Sequence, residues 1–449
     1  MEKSEQQDTR LRSHLAAGAL TSKNLQERLA LSQTALSRAI QRNRKDLLVL
    51  GAARSTQYAL RENLAGLGSE IPVYEIDRKG DVRLCAILHP LAANQYGWQL
   101  VEEKPLLFDH LPYMIQNARP EGFMGRAYAY NLASELGLPP KIDNWSDRQI
   151  VSALAQRGED FVGNLIVGKE SVHRYLTQAR SGNLNGIPQD QRQTVFEDLA
   201  EKAISGDRPG SSAGGEQPKF TALLDIPGGH QRTIVKFANR RTDEGRRWSD
   251  LLVCEHLADE VLLQAGFRAA QTEIIQTDNW TFLQSNRFDR EGLWGRLSLY
   301  SLLTVTAEFV GYGEDWVDAA EQLYAEQLIS QEDVKTLRWL SGFGNLIGNT
   351  DMHLGNISLF PTSTGFGLAP VYDMTPMHYR PKPGGFLPHK PLKAGFLSIK
   401  VSNAEIPPIA LQFWSVAQND ARITDNFRLI CQQNIDVLKS LDDGPTMCL

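Results

Sequence analysis

The segment Asn349-Thr-Asp351-Met-His353-Leu-Gly355-Asn356 places an asparagine five residues after an aspartate. This is the spacing of a phosphotransfer loop. The carboxylate accepts a hydroxyl proton as the oxygen attacks a γ-phosphate, and the carboxamide oxygen holds Mg2+. Seventeen residues after Asn356 comes Asp373, in Val371-Tyr372-Asp373-Met374, beyond a hairpin signal. That reach can bring a second carboxylate back to the same metal. Magnesium takes hard oxygen ligands and leaves room for phosphate oxygens, which suits one Asn and one Asp. Taken alone, Asp351 could instead cap a helix and Asn356 sit in a turn.

Three upstream elements fit the same chemistry. Lys236 stands in the apolar run Thr233-Ile-Val-Lys-Phe237. A lysine there is costly unless paired or functional. Glu255 lies in the middle of the next expected helix, and a strand lysine paired with a helix glutamate holds α/β-phosphates in kinases. An edge-strand lysine facing solvent is the other reading. Before the strand comes Gly210-Ser211-Ser212-Ala213-Gly214-Gly215-Glu216-Gln217-Pro218-Lys219. Glycines let backbone N–H groups approach phosphates, although a Gly/Ser stretch can equally be a linker. No Gly-Lys-Ser/Thr follows at Walker A spacing. Ser285-Asn286-Arg287-Phe288-Asp289-Arg290 could be a hinge for an adenine edge, with Asn286 and Phe288 as nucleotide contacts, or simply a turn holding an Arg–Asp pair.

The order of these elements closely resembles the HipA-like serine/threonine kinases. The matching residues are Ser212–Lys219, Ile234-Val-Lys236, Glu255, Arg287-Phe-Asp-Arg290, Ile347–Asn356 and Val371-Tyr-Asp373. The resemblance implies an α/β (α+β), two-lobed, protein-kinase-like fold. It also implies an ATP- and Mg2+-dependent kinase acting as a growth-arresting toxin. By position, Asp351 is the catalytic base, Asn356 and Asp373 hold Mg2+, and His353 lies beside them. Lys236 and the loop residues Ser212, Ala213, Gly214, Gly215, Gln217 and Lys219 contact ATP. Ser212, with Ser211 beside it, looks like an autophosphorylation site. Some family members phosphorylate an aminoacyl-tRNA synthetase, so a protein substrate of that kind is implied. The family often has Gly-Ala-Gln-Glu-Lys where this chain has Gly215-Glu-Gln-Pro-Lys219, which keeps the Gln and the Lys.

The rest of the chain sets the frame. Its 449 residues suggest about three domains, which we place at 1–65, 66–200 and 201–449. An apolar fraction of 42% and a charged fraction of 22% exclude collagen-like, disordered and small disulfide-stapled chains. The four cysteines form no CxxC pair, the N-terminus is polar and no run is long enough to span a membrane. The expectation is a cytoplasmic protein with no membrane partner. Val73–Ile76 and Val82–Leu88 read as strands around the Asp-Arg-Lys-Gly turn at 77–80. Segments 123–136, 190–204, Ser249–Ala265, most of 298–348 and 404–442 read as helices.

The net charge of −6 hides an asymmetry, with +5 on residues 1–65 and −11 on the remainder. Leu11/Leu15, Leu25/Leu29 and Leu36/Ile40 suggest three helices, the later two capped by Thr21–Ser22 and Ser32. Leu47–Leu50 and Gln57–Leu60 suggest a hairpin, completing a winged helix-turn-helix pattern. Gln33, Thr34 and Ser37 would meet base edges, and Arg38, Arg42, Arg44 and Lys45 phosphates. A solvated helix or a protein-contact module is the alternative. A winged helix fused to such a kinase is similar to the YjjJ (HipH) branch of the family, whose usual DNA-binding antitoxin is a separate protein. DNA is therefore an expected partner, and an antitoxin a possible one. Two other functions remain open here: a kinase-like transcription regulator, or a metal-dependent DNA-acting toxin.

Overall fold

A computed structural model describes residues 2–51, 56–182, 184–205, 217–393 and 405–442. Two compact units emerge, Met1–Pro120 with Leu132–Leu184, and Glu121–Asn131 with Asn185–Leu449.

The first unit begins α1 (Glu2–Leu15), β1 (Leu20–Thr21), α2 (Ser22–Leu29), α3 (Gln33–Arg42), β2 (Leu47–Leu50), β3 (Gln57–Leu60). The Thr21 side chain accepts from Asn24 N, and that of Ser32 from Ala35 N, so both expected caps form. Leu11, Leu15, Leu25, Leu29 and Leu36 share one core. The strands make a sheet in the order β1-β3-β2, with β1 added to the expected hairpin.

Next come β4 (Ile71–Ile76), β5 (Val82–Pro90), β6 (Tyr96–Leu100), β7 (Leu106–Phe108), α4 (Tyr113–Gln116), α5 (Gly122–Leu136), α6 (Asp147–Arg157), β8 (Leu165–Val167) and α7 (Lys169–Ser181). The strands form a five-stranded antiparallel sheet in the order β7-β6-β5-β4-β8. In the turn before β5, Asp77 Oδ1 accepts from Lys79 N and Asp81 N, and Gly80 takes φ +89°. The sequence reading found only β4 and β5 of this sheet, because the other strands span three to five residues.

Residues 1–65 share a core with this sheet. Leu48, Leu50 and Ala59 cluster with Leu91. A Cβ on Gly97 would stand 2.4 Å from Leu48 Cδ2, so any larger residue there would require the Leu48 side chain to move. Ala19 N donates to Gln95 Oε1 at 2.8 Å, and Arg61 pairs with Glu70.

The second unit holds α8 (Arg192–Ser205), β9 (Lys219–Ile226), β10 (Gly229–Asn239), α9 (Asp243–Gln264), β11 (Thr272–Gln276) and β12 (Trp280–Asn286). The sheet order is β11-β12-β10-β9. Phe196 of α8 packs with Phe237, Trp280 and Phe282 on one face. On the other face, Ala238, Leu252 and Leu283 bring α9 against the sheet. The helix starts at Asp243, capped by Thr242, one and a half turns before the expected start at Ser249.

The remaining elements are β13 (Arg290–Glu291), β14 (Gly295–Arg296), β15 (Tyr300–Ser301), α10 (Leu302–Phe309), α11 (Trp316–Ala325), α12 (Gln331–Ile347), β16 (Ser358–Pro361), β17 (Phe366–Leu368), α13 (Ile406–Asn419) and α14 (Asp425–Asp442). Sheet β15-β16-β17 flanks the phosphotransfer-type loop. Among the described residues no helix is long and apolar enough to cross a membrane, and Cys85, Cys254 and Cys431 are free.

Asp250 on α9 accepts from Thr424 N at 2.8 Å and Thr424 Oγ1 at 2.7 Å, joining α9 to the segment before α14. Burial raises its pKa to about 6 against the pull of the Thr424 bonds, Arg247 and Arg240. A carboxyl whose folded pKa is raised stabilises most below its unfolded value and loses that contribution as pH rises through the folded one. Relative to Asp250→Asn, the wild type should lose about 2 kcal/mol of stability between pH ~4 and pH ~7. Urea unfolding of both proteins across that range measures it, and parallel profiles would contradict the assignment.

Candidate active site

Lys236 sits inside β10 between Val235 and Phe237 and is 8% exposed. Burying an ammonium there is tolerable because two carboxylates meet it. Its Nζ donates to Glu255 Oε1 of α9 at 2.5 Å and to Asp373 Oδ1. The expected Lys–Glu pair is present, and the structure adds the second carboxylate. Burial opposes the lysine charge, but Asp373 and Glu255 outweigh it and raise its pKa. Burial also works against the Asp373 carboxylate, yet Lys236 and Lys219 bring its pKa down to about 2. Glu255, buried and repelled by Asp373, lies above its usual value despite Lys236. The lysine therefore compensates mainly Asp373. Thr375 Oγ1 donates to Glu255 Oε2 at 2.9 Å.

Helix α12 ends at Gly348 (φ +76°), and the chain enters the loop at Asn349, which is 1% exposed. Asn349 Nδ2 donates to Asp373 O at 3.3 Å, and its Oδ1 accepts from Asp351 N at 3.0 Å. One side chain thus joins the backbones of both key aspartates. Asn356 Nδ2 donates to Asp351 O at 2.8 Å, which leaves Oδ1 as the oxygen free to face a metal. Asp373 adopts φ +58°, rare for a residue with a Cβ, and a strained backbone of this kind is held only by its surroundings. Those surroundings are Lys236, Asn349 and the bridge of Val371 to Ala269 and Arg268.

His353 is exposed, its Nδ1 accepts from Gly355 N, and its carbonyl accepts from Trp316 Nε1 at 2.9 Å. Tyr372 OH donates to Gly355 O and bonds Ser358. Asn349, Thr375, Trp316 and Tyr372 are the supporting residues that the sequence reading did not assign. Only Asn349, two residues before Asp351, carried a signal, a polar residue just past an apolar helix end.

Lys219 lies directly across from Lys236 in the β9–β10 register, so both point to one face. Gln217 donates to Phe237 O, while its Oε1 is buried without a hydrogen bond. Ser211, Ser212, Ala213, Gly214 and Gly215 lie outside the described residues. At the end of β12, Arg287 forms a bidentate pair with Asp289, and Arg290 joins from the other side. Asn286 N and Arg287 N donate to Gln271 O and Arg232 O, so these two backbone donors are engaged. Asn286 Nδ2 bonds Gln271, and the Phe288 ring packs on Tyr372 and Phe360.

Among the described residues no three His, Cys, Asp or Glu side chains cluster as a metal cage. One Asp and one Asn oxygen, with two lysines on the same sheet face, have the chemistry of a hard cation that keeps most of its ligands for phosphate and water. The residues present fit Mg·ATP.

In the first unit, Gln33, Thr34, Ser37, Arg38, Arg42 and Arg44 are all exposed. Arg42 differs from the sequence expectation. Its guanidinium pairs with Asp8 of α1, with Nη2–Oδ1 at 2.7 Å, a partner that a phosphate would have to displace. Gln33 Oε1 accepts from Gln26 of α2 at 2.6 Å.

The family model for a HipA-like C-terminal domain matches residues 211–440, and that for the middle domain of YjjJ-like toxins matches residues 67–176. The chain belongs to the HipA-like family. At the level of a whole protein, it is 35% identical over 444 residues to Toxin YjjJ of Escherichia coli (strain K12), covering 96% of this chain and 97% of that one. A structure from Shewanella oneidensis MR-1, of HipA with HipB and operator DNA, aligns with TM-score 0.48 and 15% identity. It covers 82% of this chain and 97% of that one. The Helicobacter pylori proinflammatory kinase CtkA aligns with TM-score 0.34 and 14% identity, covering 49% and 90%. With scores below 0.5, these two add nothing to the family assignment.

Removing Lys236 leaves buried Glu255 and half-buried Asp373 against each other with only Lys219 to offset their charge. Lys236→Met should cost about 3–5 kcal/mol at neutral pH. Part of that loss should return near pH ~5, because unpaired buried carboxylates take up protons there. Denaturant unfolding at both pH values tests this, and a pH-independent loss would contradict it.

Proposed function

We propose that the chain is an ATP- and Mg2+-dependent serine/threonine protein kinase of the HipA toxin type. The observation carrying this reading is Lys236 bridging Glu255 and Asp373, three residues far apart in sequence. The bridge orients the lysine head toward the face where Lys219 also points, suited to α/β-phosphates. Asp351 is held by Asn349 and Asn356, and its carboxylate is left to take the proton of an incoming hydroxyl. Bound Mg·ATP supplies the phosphoryl group and neutralises its charge, with Asn356 and Asp373 as the protein ligands. Asn286 and Phe288 border the adenine position in this reading. By family resemblance the 212–215 stretch, which lies outside the described residues, would contact the phosphates, with His353 beside them.

Purified protein with labelled ATP and a lysate tests the assignment. Asp351→Asn should retain nucleotide binding and lose transfer by at least ~100-fold. Asp373→Ala should weaken binding of Mg·ATP and also abolish transfer. Full transfer in either variant sinks the assignment. Nucleotide binding without transfer would indicate a kinase-like regulator, and nicked DNA a DNA-acting enzyme. By family resemblance, the phosphate acceptors include Ser212 or Ser211 of the chain itself and a cellular protein of the aminoacyl-tRNA synthetase class. A phosphate on either serine would repel the ATP phosphates.

Residues 1–65 are proposed as a winged helix that binds DNA, supported by their +5 charge and the exposed Thr34, Ser37, Arg38 and Arg44 on or just beyond α3. By family resemblance an antitoxin is a candidate partner. Because Leu48, Leu50 and Ala59 pack against Leu91, the DNA test uses the full chain rather than a truncation. Arg38→Ala should flatten the log affinity–log salt slope by about one unit. Arg42→Ala should change it less, since Asp8 already holds that guanidinium. Salt-independent affinity for duplex DNA would refute the head as a DNA reader.

A further inference from the structure

Between Arg296 and Lys335 the chain carries eight Asp/Glu and no Lys or Arg. This stretch builds β15, α10 and α11, and it is fastened to the Asp351–Asn356 loop at both ends. Upstream, Tyr300 and Ser301 pair with Leu359 and Ser358, and Leu302 N donates to Ile357 O at 2.8 Å. Downstream, Trp316 Nε1 donates to His353 O. Between the two fastenings the structure exposes Leu303 (51%), Phe309 (41%) and Tyr312 (73%). Tyr312 is the most exposed large apolar side chain among the described residues. Glu308 and Glu314 beside them are exposed as well.

Single exposed apolar residues are ordinary, but Tyr312 lies three positions from Phe309, whose ring edge meets Phe366, in a stretch whose only charged side chains are acidic and which is tied to the catalytic-type loop, the marks of an interaction surface. Nothing in the phosphotransfer chemistry uses them. We propose that this face docks the protein substrate through a segment combining Lys/Arg with aliphatic or aromatic residues. Its acidic rim attracts such a segment and repels acidic proteins and nucleic-acid backbones, so charge supplies the selectivity. Tyr312 is the anchor, a large ring that contributes area at little entropic cost. The inference rests on the kinase reading of the same loop.

The test uses the full chain and two labelled peptides: one alternating Arg and Leu around a serine, and its counterpart with Glu for Arg. Fluorescence anisotropy reads binding, and phosphate incorporation with ATP reads transfer. The wild type should bind the basic peptide and not the acidic one. Tyr312→Ala, and separately Glu308→Lys with Glu314→Lys, should each weaken that binding about tenfold. KM for the basic peptide should rise by the same factor with kcat unchanged. All three positions are exposed, and unchanged thermal transitions confirm that the variants fold. Equal binding of both peptides, or variants that bind as the wild type does, overturns the docking surface. A peptide bound selectively but never phosphorylated leaves the surface standing and sinks the kinase reading. Phosphorylation with an unchanged KM in the variants does the reverse.

Discussion

A charged ammonium inside a strand organises the second unit. Lys236 cannot remain ionised at 8% exposure unless carboxylates come to it, and Glu255 and Asp373 come from segments far apart in the chain. One arrives on α9, which must therefore pack on β10 in a single rotation. The other arrives after the β16–β17 hairpin, in a segment bridged to the strand side at Ala269. The desolvation cost of an unpaired charge is large enough to impose both requirements. Thr375 adds a donor to the second Glu255 oxygen, and Asn349 fixes the backbone of Asp373.

The same arrangement carries a polarity. Asp373 is held ionised, whereas Glu255 is not held low to the same degree. An ionised Asp373 beside Asn356 suits a metal, and the glutamate on its helix serves to aim the lysine. A second buried network, Arg287 and Arg290 on Asp289, stiffens the exit from β12.

The charge pattern of the whole chain fits this division. Residues 1–65 carry the positive balance and the remainder the negative one. In the head, Asp8 neutralises Arg42 and Asp46 pairs with Arg12. The positive field is thus carried by fewer residues than composition implies.

Local chemistry was legible in the amino-acid string. The D-x4-N loop, the strand lysine, the helix glutamate, the helix caps at Thr21 and Ser32 and the Asp77–Gly80 turn all follow from residue type and spacing over short distances. The central sheet of the first unit was not legible beyond two strands, because three-residue strands such as β7 and β8 carry too little periodicity to register. Nor could spacing show that Asp373 shares the lysine with Glu255, that Asn349 ties two aspartates together, or that Asp8 occupies Arg42. Each of these joins segments distant along the chain, and a charge or amide finds such a partner only when packing brings the two together and removes the water between them.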